Sequence, residues 1–286
     1  MTSETEAPAP GALATQTLAT QALATQVQGT GERRGRMRAL IEERAFARVA
    51  ELSREFGVSA VTVRSDLDAL EAEGGIRRIR GGAMPYDAAR LRERPFEETA
   101  IEAAEAKARI AAAAADLLEP GMSVLLDVGT TAAAVARELL RREELRDLTV
   151  VTSGLSIALL LETAIPRLQV IVTGGTLRPL QHSLVAPLAG QVLARVHADV
   201  ALIGCNGVDA EAGVTNINLP EAEVKAAMIG AAARTVVIAD GSKIGRVHLG
   251  HVAGVAAVDV LITDPTAPAP ALAEVRALDG PRIVVA

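Results

Sequence analysis

The sequence has few of the residues that build redox, stacking or metal sites. Its 286 residues include one cysteine, one tyrosine, three phenylalanines and no tryptophan, so aromatic residues make up only 1%. A single cysteine excludes internal disulfides and cysteine-clustered metal sites. The scarcity of aromatic rings disfavours base stacking with single-stranded nucleic acid. The core must therefore be aliphatic, and a hydrophobic fraction of 50% is enough to build one.

Several functional motifs are missing as well. The four histidines form no HExxH motif, so the sequence predicts no metal site and no cofactor. Neither GxGxxG nor GxxxxGK(S/T) occurs, which disfavours dinucleotide and Walker-type ATP binding. No apolar run reaches the ~18–20 residues of a membrane helix, and the N-terminus lacks the pattern of a signal peptide. These absences predict a cytoplasmic protein with no membrane partner.

The charge is divided unevenly along the chain. The net charge is −6, yet residues 33–94 contain 14 arginines and ten acids, a net charge of +4. Residues 95–286 carry a net charge of −7. A basic segment attached to an acidic body is typical of a polyanion-binding module joined to a domain with another task. A solvated basic face explains the charge equally well when charge alone is considered.

Residues 33–84 have the pattern of a winged helix-turn-helix. Gly57 lies where the chain must turn, and Ser59 lies where a helix N-cap belongs. A short β-hairpin, the wing, is predicted to begin at Ile76. This order places the third helix in the major groove of duplex DNA. The three predicted helices are Arg33–Glu43, Ala50–Phe56 and Ala60–Glu73.

The third predicted helix has an apolar and a polar side. Val63, Leu67 and Leu70 form the apolar stripe, so the residues opposite them face the groove. Hydroxyls and arginines can bond to bases or phosphates, and an exposed valine suits a thymine methyl group. A winged-helix interaction domain that binds no DNA is the alternative. The predicted DNA-contacting residues are Ser59, Val61, Thr62, Arg64, Ser65, Arg77, Arg78 and Arg80.

Beyond the winged helix-turn-helix, short apolar strands alternate with helices. This alternation predicts a larger Rossmann-like α/β domain with a mostly parallel sheet covered on both faces. A long helix is predicted over Glu97–Glu119, and we expect it to couple the two domains. The predicted strands are Ser123–Leu126, Thr149–Val151, Gln169–Val172, Val200–Ile203, Val236–Ala239, Val258–Ile262 and Arg282–Val285.

The predicted organisation of this α/β protein has four parts. Residues 1–32 repeat LATQ at a five-residue period and are expected to be a disordered low-complexity tail. Residues 33–84 form the DNA-binding domain, residues 85–98 the linker, and residues 99–286 the α/β domain.

The residues that follow the predicted strands indicate a ligand site. Ligands of open parallel sheets bind at the carboxyl ends of the strands. Glycine and threonine at a helix N-terminus suit a phosphate. Aspartates accept hydrogen bonds from sugar hydroxyls, and a lysine adds positive charge. The pattern favours a phosphorylated polyol. The predicted ligand-binding residues are Asp127, Gly129, Thr130, Thr131, Ser153, Gly174, Gly175, Asn206, Asp240 and Lys243.

Several motifs resemble one known family. The segment AELSREFGVSAVTVRSDLDALEAEGGIRRIRGGA at Ala50–Ala83 resembles the N-terminal signature of DeoR-family transcriptional regulators. DVGTT, NGVD, GVTNINLPEAEVKAAM and DGSKIG resemble motifs of the sensor domain of that family, which is related to ribose-5-phosphate isomerase. The resemblance covers nearly all of residues 33–286.

The resemblance implies a repressor of carbohydrate metabolism genes. Its partners would be a double-stranded DNA operator and a phosphorylated sugar effector that controls operator binding. Asp240 and Lys243 would take part in the effector response, and Gly129–Thr131 would lie at the phosphate.

A sugar-phosphate isomerase with an appended DNA-binding module is the alternative function. Its candidate catalytic residues are Glu221, Glu223 and Lys225, but the glycine-rich segment of those isomerases is missing, so we predict no enzyme. We expect Cys205 to be a small buried residue without a catalytic role. Because one DNA-reading head contacts few base pairs, we expect a homodimer or homotetramer.

Overall fold

A computed structural model describes residues 29–44, 46–79, 81–85 and 95–286 of the chain. The chain divides into two compact units, Met1–Asp87 and Ala88–Ala286. The predicted tail at residues 1–28 and most of the predicted linker, residues 86–94, lie outside the described residues.

The described residues of the first unit form three helices and a small antiparallel sheet. Helix α1 spans residues 29–44 in the described part of the chain. Met37, Ile41, Leu52 and Leu67 are fully buried where the helices meet. The strand order is β1-β3-β2, in which β2 and β3 form the predicted wing and β1 is a strand that was not predicted. The other elements are β1 (Ala47–Arg48), α2 (Val49–Phe56), α3 (Ala60–Ala72), β2 (Ile76–Ile79) and β3 (Gly82–Pro85).

Two boundaries of this unit differ from the prediction. Helix α1 includes residues 29–32, which the sequence pattern assigned to the tail. Arg33 and Arg34 bond to Asp66 of α3 and thereby hold this end of α1 in place. Pro85, predicted as the first linker residue, is the last residue of β3 and pairs with Ile76.

The second unit is built on a parallel sheet of seven strands. The strand order is β15-β14-β12-β9-β4-β5-β6, and every neighbouring pair is parallel. All seven predicted strands are present, which confirms the predicted α/β fold. The strands are β4 (Ser123–Leu126), β5 (Leu148–Thr152), β6 (Leu168–Val172), β9 (Val200–Ile203), β12 (Thr235–Ile238), β14 (Val260–Thr263) and β15 (Arg282–Val285).

Helices cover both faces of this sheet. Because side chains alternate along a strand, Val124 and Leu126 face one layer of helices while Leu125 faces the other. Helices α5 (Ala104–Ala115), α6 (Thr130–Arg141) and α7 (Leu155–Glu162) form the first layer. Helices α8 (Leu188–Leu193), α9 (Leu219–Gly230) and α10 (Ala269–Arg276) form the second.

The predicted long helix over Glu97–Glu119 is two helices. Helix α4 spans Phe96–Ile101 and α5 ends at Ala115. Between them Glu102 is extended and Ala103 is left-handed, with φ of 50°. The buried Lys107 Nζ donates to the carbonyl oxygens of Thr99 and Glu102, both at 2.7 Å. These two hydrogen bonds stabilise the break, which the local sequence does not reveal.

Several short antiparallel strands were not predicted. Strands β7 (Thr176–Arg178) and β8 (Ser183–Val185) form a hairpin. Strands β10 (Gly207–Asp209), β11 (Gly213–Asn216) and β13 (Gly250–Ala253) form a second small sheet. No helix in the described part of the chain combines the length and apolarity that crossing a bilayer requires.

Candidate functional site

The turn between α2 and α3 is fixed by its own residues. Gly57, with φ of 63°, ends α2 in the left-handed conformation that glycine adopts without strain. Ser53 Oγ donates to the carbonyl oxygen of Val58 at 2.6 Å. Ser59 Oγ accepts from the backbone N–H of Thr62 at 3.1 Å, which confirms the predicted N-cap. The turn thus sets the direction in which α3 leaves α2.

The outer face of α3 is the face predicted to meet DNA. Val61 is 73% exposed, and Arg64 and Ser65 are exposed as well. On the opposite side, Val63 and Leu67 are fully buried. Arg64 makes no ion pair with any described residue, so its guanidinium is available to a phosphate or a guanine.

The wing is tied to α3. Arg78 of β2 forms an ion pair with Asp68 of α3, and its backbone N–H donates to Glu71 Oε1 at 2.7 Å. Arg77 and Arg78 are both partly exposed on β2. The side chain of Arg80 lies outside the described residues. The wing and α3 therefore present their arginines from one connected surface.

Sequence reasoning missed a buried carboxylate in this unit. Asp66 is only 2% exposed and accepts hydrogen bonds from Arg33 Nε at 2.7 Å and Arg34 Nε at 2.9 Å. Burial by itself would raise the pKa of Asp66, but the bonds from the two arginines outweigh it and hold the pKa below its ordinary value. The helical spacing from Val63 is the signal that could have placed Asp66 on the inner side of α3.

In the second unit, the parallel sheet brings its polar residues to one edge. Asp127 follows β4, Asn206 follows β9 and Asp240 follows β12, and these three strands are neighbours. Neighbouring strands lie ~4.8 Å apart. One small ligand can therefore span the ends of β4, β9 and β12, which we call the central edge.

Asp127 is the most enclosed carboxylate of the central edge. Its exposure is 1%, and its Oδ2 accepts from Lys225 Nζ of α9 and from the backbone N–H of Gly204 at 2.9 Å. Its Oδ1 has no hydrogen-bond partner among the described residues. Burial lowers the pKa of Lys225, but the charges of Asp127 and Glu221 outweigh burial and raise it, so Lys225 is a cation.

The corner after Asp127 opens a helix. Gly129, with φ of 92°, is the N-cap of α6, and Thr130 and Thr131 are its first two residues. All three are partly exposed. The free amides of a helix N-terminus and two hydroxyls are the groups that an incoming phosphate needs.

The turn after β12 is held by two buried aspartates. Asp240 Oδ1 accepts from the backbone N–H of Ser242 at 3.1 Å, and Asp264 Oδ1 accepts from that of Gly241 at 2.6 Å. These bonds form the short 3₁₀ helix Gly241–Lys243, in which Lys243 is partly exposed. Lys107, from the break between α4 and α5, is near enough for the charges of Asp240 and Lys243 to act on it, and burial lowers its pKa.

The environment of Cys205 shows that these groups share one region. Burial raises the pKa of the Cys205 thiol to about 12, and four charged side chains act on it electrostatically. They are Lys225, Lys243, Asp240 and Asp127. The lysine of the Asp240–Lys243 turn and the Asp127 corner thus both lie around the end of β9. The side chain of Cys205 is partly buried, not buried as predicted, and a raised pKa disfavours the thiolate form that a nucleophile needs.

The proposed catalytic candidates of the isomerase alternative have other tasks. Glu221 is 5% exposed and accepts from Ser183 Oγ at 2.5 Å and from Arg178. Lys225 is paired with Asp127, and Glu223 is exposed on α9. Sequence reasoning missed this network because Arg178 and Ser183 lie on strands that it did not predict.

Three of the predicted ligand residues lie away from β12. Gly174 and Gly175 follow the edge strand β6, which is four strand spacings, about 19 Å, from β12. A Cβ on Gly175 would lie 2.2 Å from the carbonyl oxygen of Val185. The close approach of β8 therefore explains why a glycine occupies this position. Ser153 is buried, and its carbonyl oxygen accepts from Leu184 at 2.8 Å.

Asn206 lies at the end of β9 and also has a structural role. Its Oδ1 accepts from the backbone N–H of Ile217 at 3.0 Å and so holds the loop that leads into α9. The ring of His248, a residue that sequence reasoning passed over, bonds to the backbone of Asn206, and burial lowers its pKa to about 4. No group of three or more metal-ligating side chains occurs within the described ranges.

A winged helix-turn-helix followed by an α/β domain with a buried polar edge defines a two-domain transcriptional regulator. The DeoR-like helix-turn-helix domain matches residues 33–88, and the DeoR C terminal sensor domain matches residues 102–265. The chain belongs to the DeoR family of transcriptional regulators.

The relatives are named regulators. The chain is 34% identical to the putative aga operon transcriptional repressor of Escherichia coli O157:H7, over 87% of this chain and 92% of that protein. It is 28% identical to the glycerol-3-phosphate regulon repressor of E. coli K12, over 80% of this chain and 88% of that protein. These relatives confirm the prediction of a DeoR-family regulator that is not an enzyme.

Solved structures give only a weak likeness. Ribose 5-phosphate isomerase A of Methanocaldococcus jannaschii is 21% identical, with 48% of this chain and 52% of that chain covered. Its TM-score is 0.35.

Proposed function

We propose that this chain represses carbohydrate metabolism genes and that a phosphorylated sugar at the central edge controls its binding to operator DNA. The observation that carries this proposal is the group of charged residues around the end of β9: Asp127, Lys225, Asp240 and Lys243. A site at strand ends that combines buried charges with partly exposed residues suits a small anionic polyol. The proteins named in the comparisons include repressors, and this supports the direction of regulation.

The DNA half of the proposal rests on the exposed side of α3 and the wing. Val61, Arg64 and Ser65 are exposed and would enter the major groove, while Ser59 and Thr62 stabilise the start of α3 and would contact the DNA backbone. The remaining proposed contacts, to phosphates, are Arg77, Arg78 and Arg80. The operator half-sites would be read by a homodimer or homotetramer, since a palindromic site requires two copies.

The ligand half rests on four strand-end features. The Gly129–Thr131 corner offers amides and hydroxyls to the phosphate, and Lys243 adds positive charge. Asp127 and Asp240 would accept hydrogen bonds from sugar hydroxyls, and Asn206 holds the loop that leads into α9. We also propose residues 33–84 as the DNA-binding domain and residues 99–286 as the sensor domain.

A melting-temperature screen of the full chain tests the ligand half. The probes are glycerol 3-phosphate, fructose 1-phosphate, glucose 6-phosphate and ribose 5-phosphate, each beside its unphosphorylated counterpart. A ligand at 100 times its dissociation constant adds about 2.7 kcal/mol to the free energy of unfolding, so a true effector raises the melting temperature with the logarithm of its concentration.

Two variants control the screen. Lys243→Met removes a charge at the central edge and should abolish most of the shift, whereas Arg276→Met, at an exposed position on α10, should retain it. Equal shifts for phosphorylated and unphosphorylated sugars, or no shift with any of them, would contradict the proposal.

A further inference from the structure

The β7–β8 hairpin touches two different parts of the second unit. Beside its turn, the paired residues Arg178 and Ser183 bond to the Glu221 carboxylate, and Ser183 Oγ lies 2.5 Å from Glu221 Oε1. At its turn, the His182 ring lies 5.4 Å from the Phe96 ring, centroid to centroid. His182 Nε2 also lies 3.4 Å from Glu97 Oε1. The hairpin therefore connects α9 to α4.

The Arg178–Ser183 pair of the hairpin is coupled to the central edge through one turn of helix α9. Glu221 and Lys225 are four residues apart on α9, so both side chains lie on the same side of the helix. Lys225 bonds to Asp127, whose Oδ1 lacks a partner among the described residues. All of these charges except that of Arg178 are nearly fully buried.

Buried charges have to remain paired. Leaving one charge without its partner in a buried site is strongly destabilising. A ligand that bonds to Asp127, or brings an anion close to Lys225, changes the attraction that Glu221 feels from Lys225. Because Glu221 is held by Arg178 and Ser183, the position of the hairpin responds to this change.

The turn of the hairpin contacts a short helix. Helix α4 has six residues and is separated from α5 by the left-handed Ala103. In the sequence, α4 is the first described helix after the DNA-binding unit. Within α4, Phe96 and Glu97 both contact His182, and Phe96 also packs against the aliphatic core.

We propose that His182 is a positioning residue that transmits effector occupancy from the central edge, through the β7–β8 hairpin, to helix α4. The inference rests on the proposed function, since it describes how that site is regulated. The hairpin must have two positions, and the chain must bind the effector with a different affinity in each. A ligand shifts an equilibrium between two states only when it binds them unequally.

The test compares effector binding with effector response in the full chain. Effector binding is measured as the melting shift with the phosphorylated sugar that gives the largest shift in the panel above. Response is measured as the sugar concentration that half-maximally changes binding to a duplex from the region upstream of the chain's own gene. The variants are His182→Ala and Phe96→Leu, and His251→Ala, an exposed histidine on β13, is the matched control.

We expect the two variants to keep the apparent sugar affinity within about twofold of wild type while needing at least about tenfold more sugar for the DNA response. The double variant should be no worse than either single one, because both remove the same contact. The His251→Ala control should behave like wild type in both measurements.

Three outcomes would overturn the inference. A normal DNA response in both variants removes the role of His182, and an equal loss of affinity and response makes it part of the ligand site. A wild type with neither a melting shift nor a DNA response overturns the proposed function as well, so the two failures are distinguishable. Should His182→Ala not fold, His182→Asn replaces it, since asparagine tolerates the left-handed φ of 50° found here.

Discussion

At the scale of single residues, Asp66 and Asp68 show how two carboxylates on one helix differ. Asp66 is buried between Arg33 and Arg34, whereas Asp68 is exposed and pairs with Arg78 at the surface. Removing charge-assisted hydrogen bonds from a buried carboxylate costs about 2 kcal/mol, while an exposed ion pair contributes at most about 1 kcal/mol. We therefore expect their substitutions to have unequal effects.

Asp66→Asn should lower the free energy of opening of α1 and α3 by about 2 kcal/mol. Asp68→Asn, two residues further along the same helix and of the same chemistry, should lower it by less than about 0.5 kcal/mol. Hydrogen exchange of peptides from α1 and α3, measured by mass spectrometry, reports this unit separately from the other. Equal effects of the two substitutions would contradict the assigned role of Asp66.

The contribution of Asp66 also depends on pH. Because its pKa in the folded chain lies below the ordinary value of 3.8, the stability it adds is complete above that value and is lost as the pH falls below it. The difference in the free energy of opening between wild type and Asp66→Asn should thus shrink as the pH falls from about 4 toward the folded pKa of Asp66. A difference that stays constant from pH 7 to pH 3 would show that the charge of Asp66 does not matter.

Single residues also show what the sequence does not reveal. Exposed and buried positions of α3 follow from helical spacing, so Val61, Arg64 and Ser65 could be predicted. Asp127 could be placed at a strand end, but its partner Lys225 lies 98 residues away, and no local pattern encodes that pair. Buried ion pairs depend on tertiary contacts, and the sequence analysis therefore missed them.

At the scale of secondary-structure elements, the wing depends on a close backbone approach. A Cβ on Gly82 would lie 2.3 Å from the carbonyl oxygen of Ala47 and 2.6 Å from the Phe46 ring. Gly57 has a positive φ of 63° but no atom within 4 Å of such a Cβ, so only strain opposes a side chain there.

Gly82→Ala should separate β3 from β1 and weaken DNA binding at least about tenfold, since the wing carries proposed phosphate contacts. Gly57→Ala should cost about 1 kcal/mol of stability, the penalty of a left-handed residue with a side chain, and leave the wing intact. Circular dichroism melts and gel shifts on both variants provide the comparison. A Gly82→Ala chain that binds DNA as well as the Gly57→Ala chain would contradict the role given to the wing.

Long apolar elements were predictable and short polar ones were not. Buried parallel strands are continuous apolar runs, and all seven of them could be read from the sequence. The three-residue strands β7 and β8 include Arg178 and Ser183, which both bond to the distant Glu221. The break between α4 and α5 depends on Lys107 reaching two carbonyl oxygens, which no run of alanines indicates.

At the scale of the whole molecule, the charge division has a functional meaning. The basic segment at residues 33–94 suits a phosphate backbone, and the acidic unit has Lys225 and Lys243 near one sheet edge. An acidic body does not attract DNA, so we expect DNA affinity to come from the first unit and to weaken steeply with salt.

The most direct test is the affinity of the full chain for a labelled duplex from the region upstream of its own gene, followed by fluorescence anisotropy. The titration is repeated with the phosphorylated sugar that raises the melting temperature and with its unphosphorylated counterpart. We predict at least about a tenfold change in the dissociation constant with the phosphorylated sugar only. The same dissociation constant in all three titrations would contradict control of DNA binding by a phosphorylated sugar.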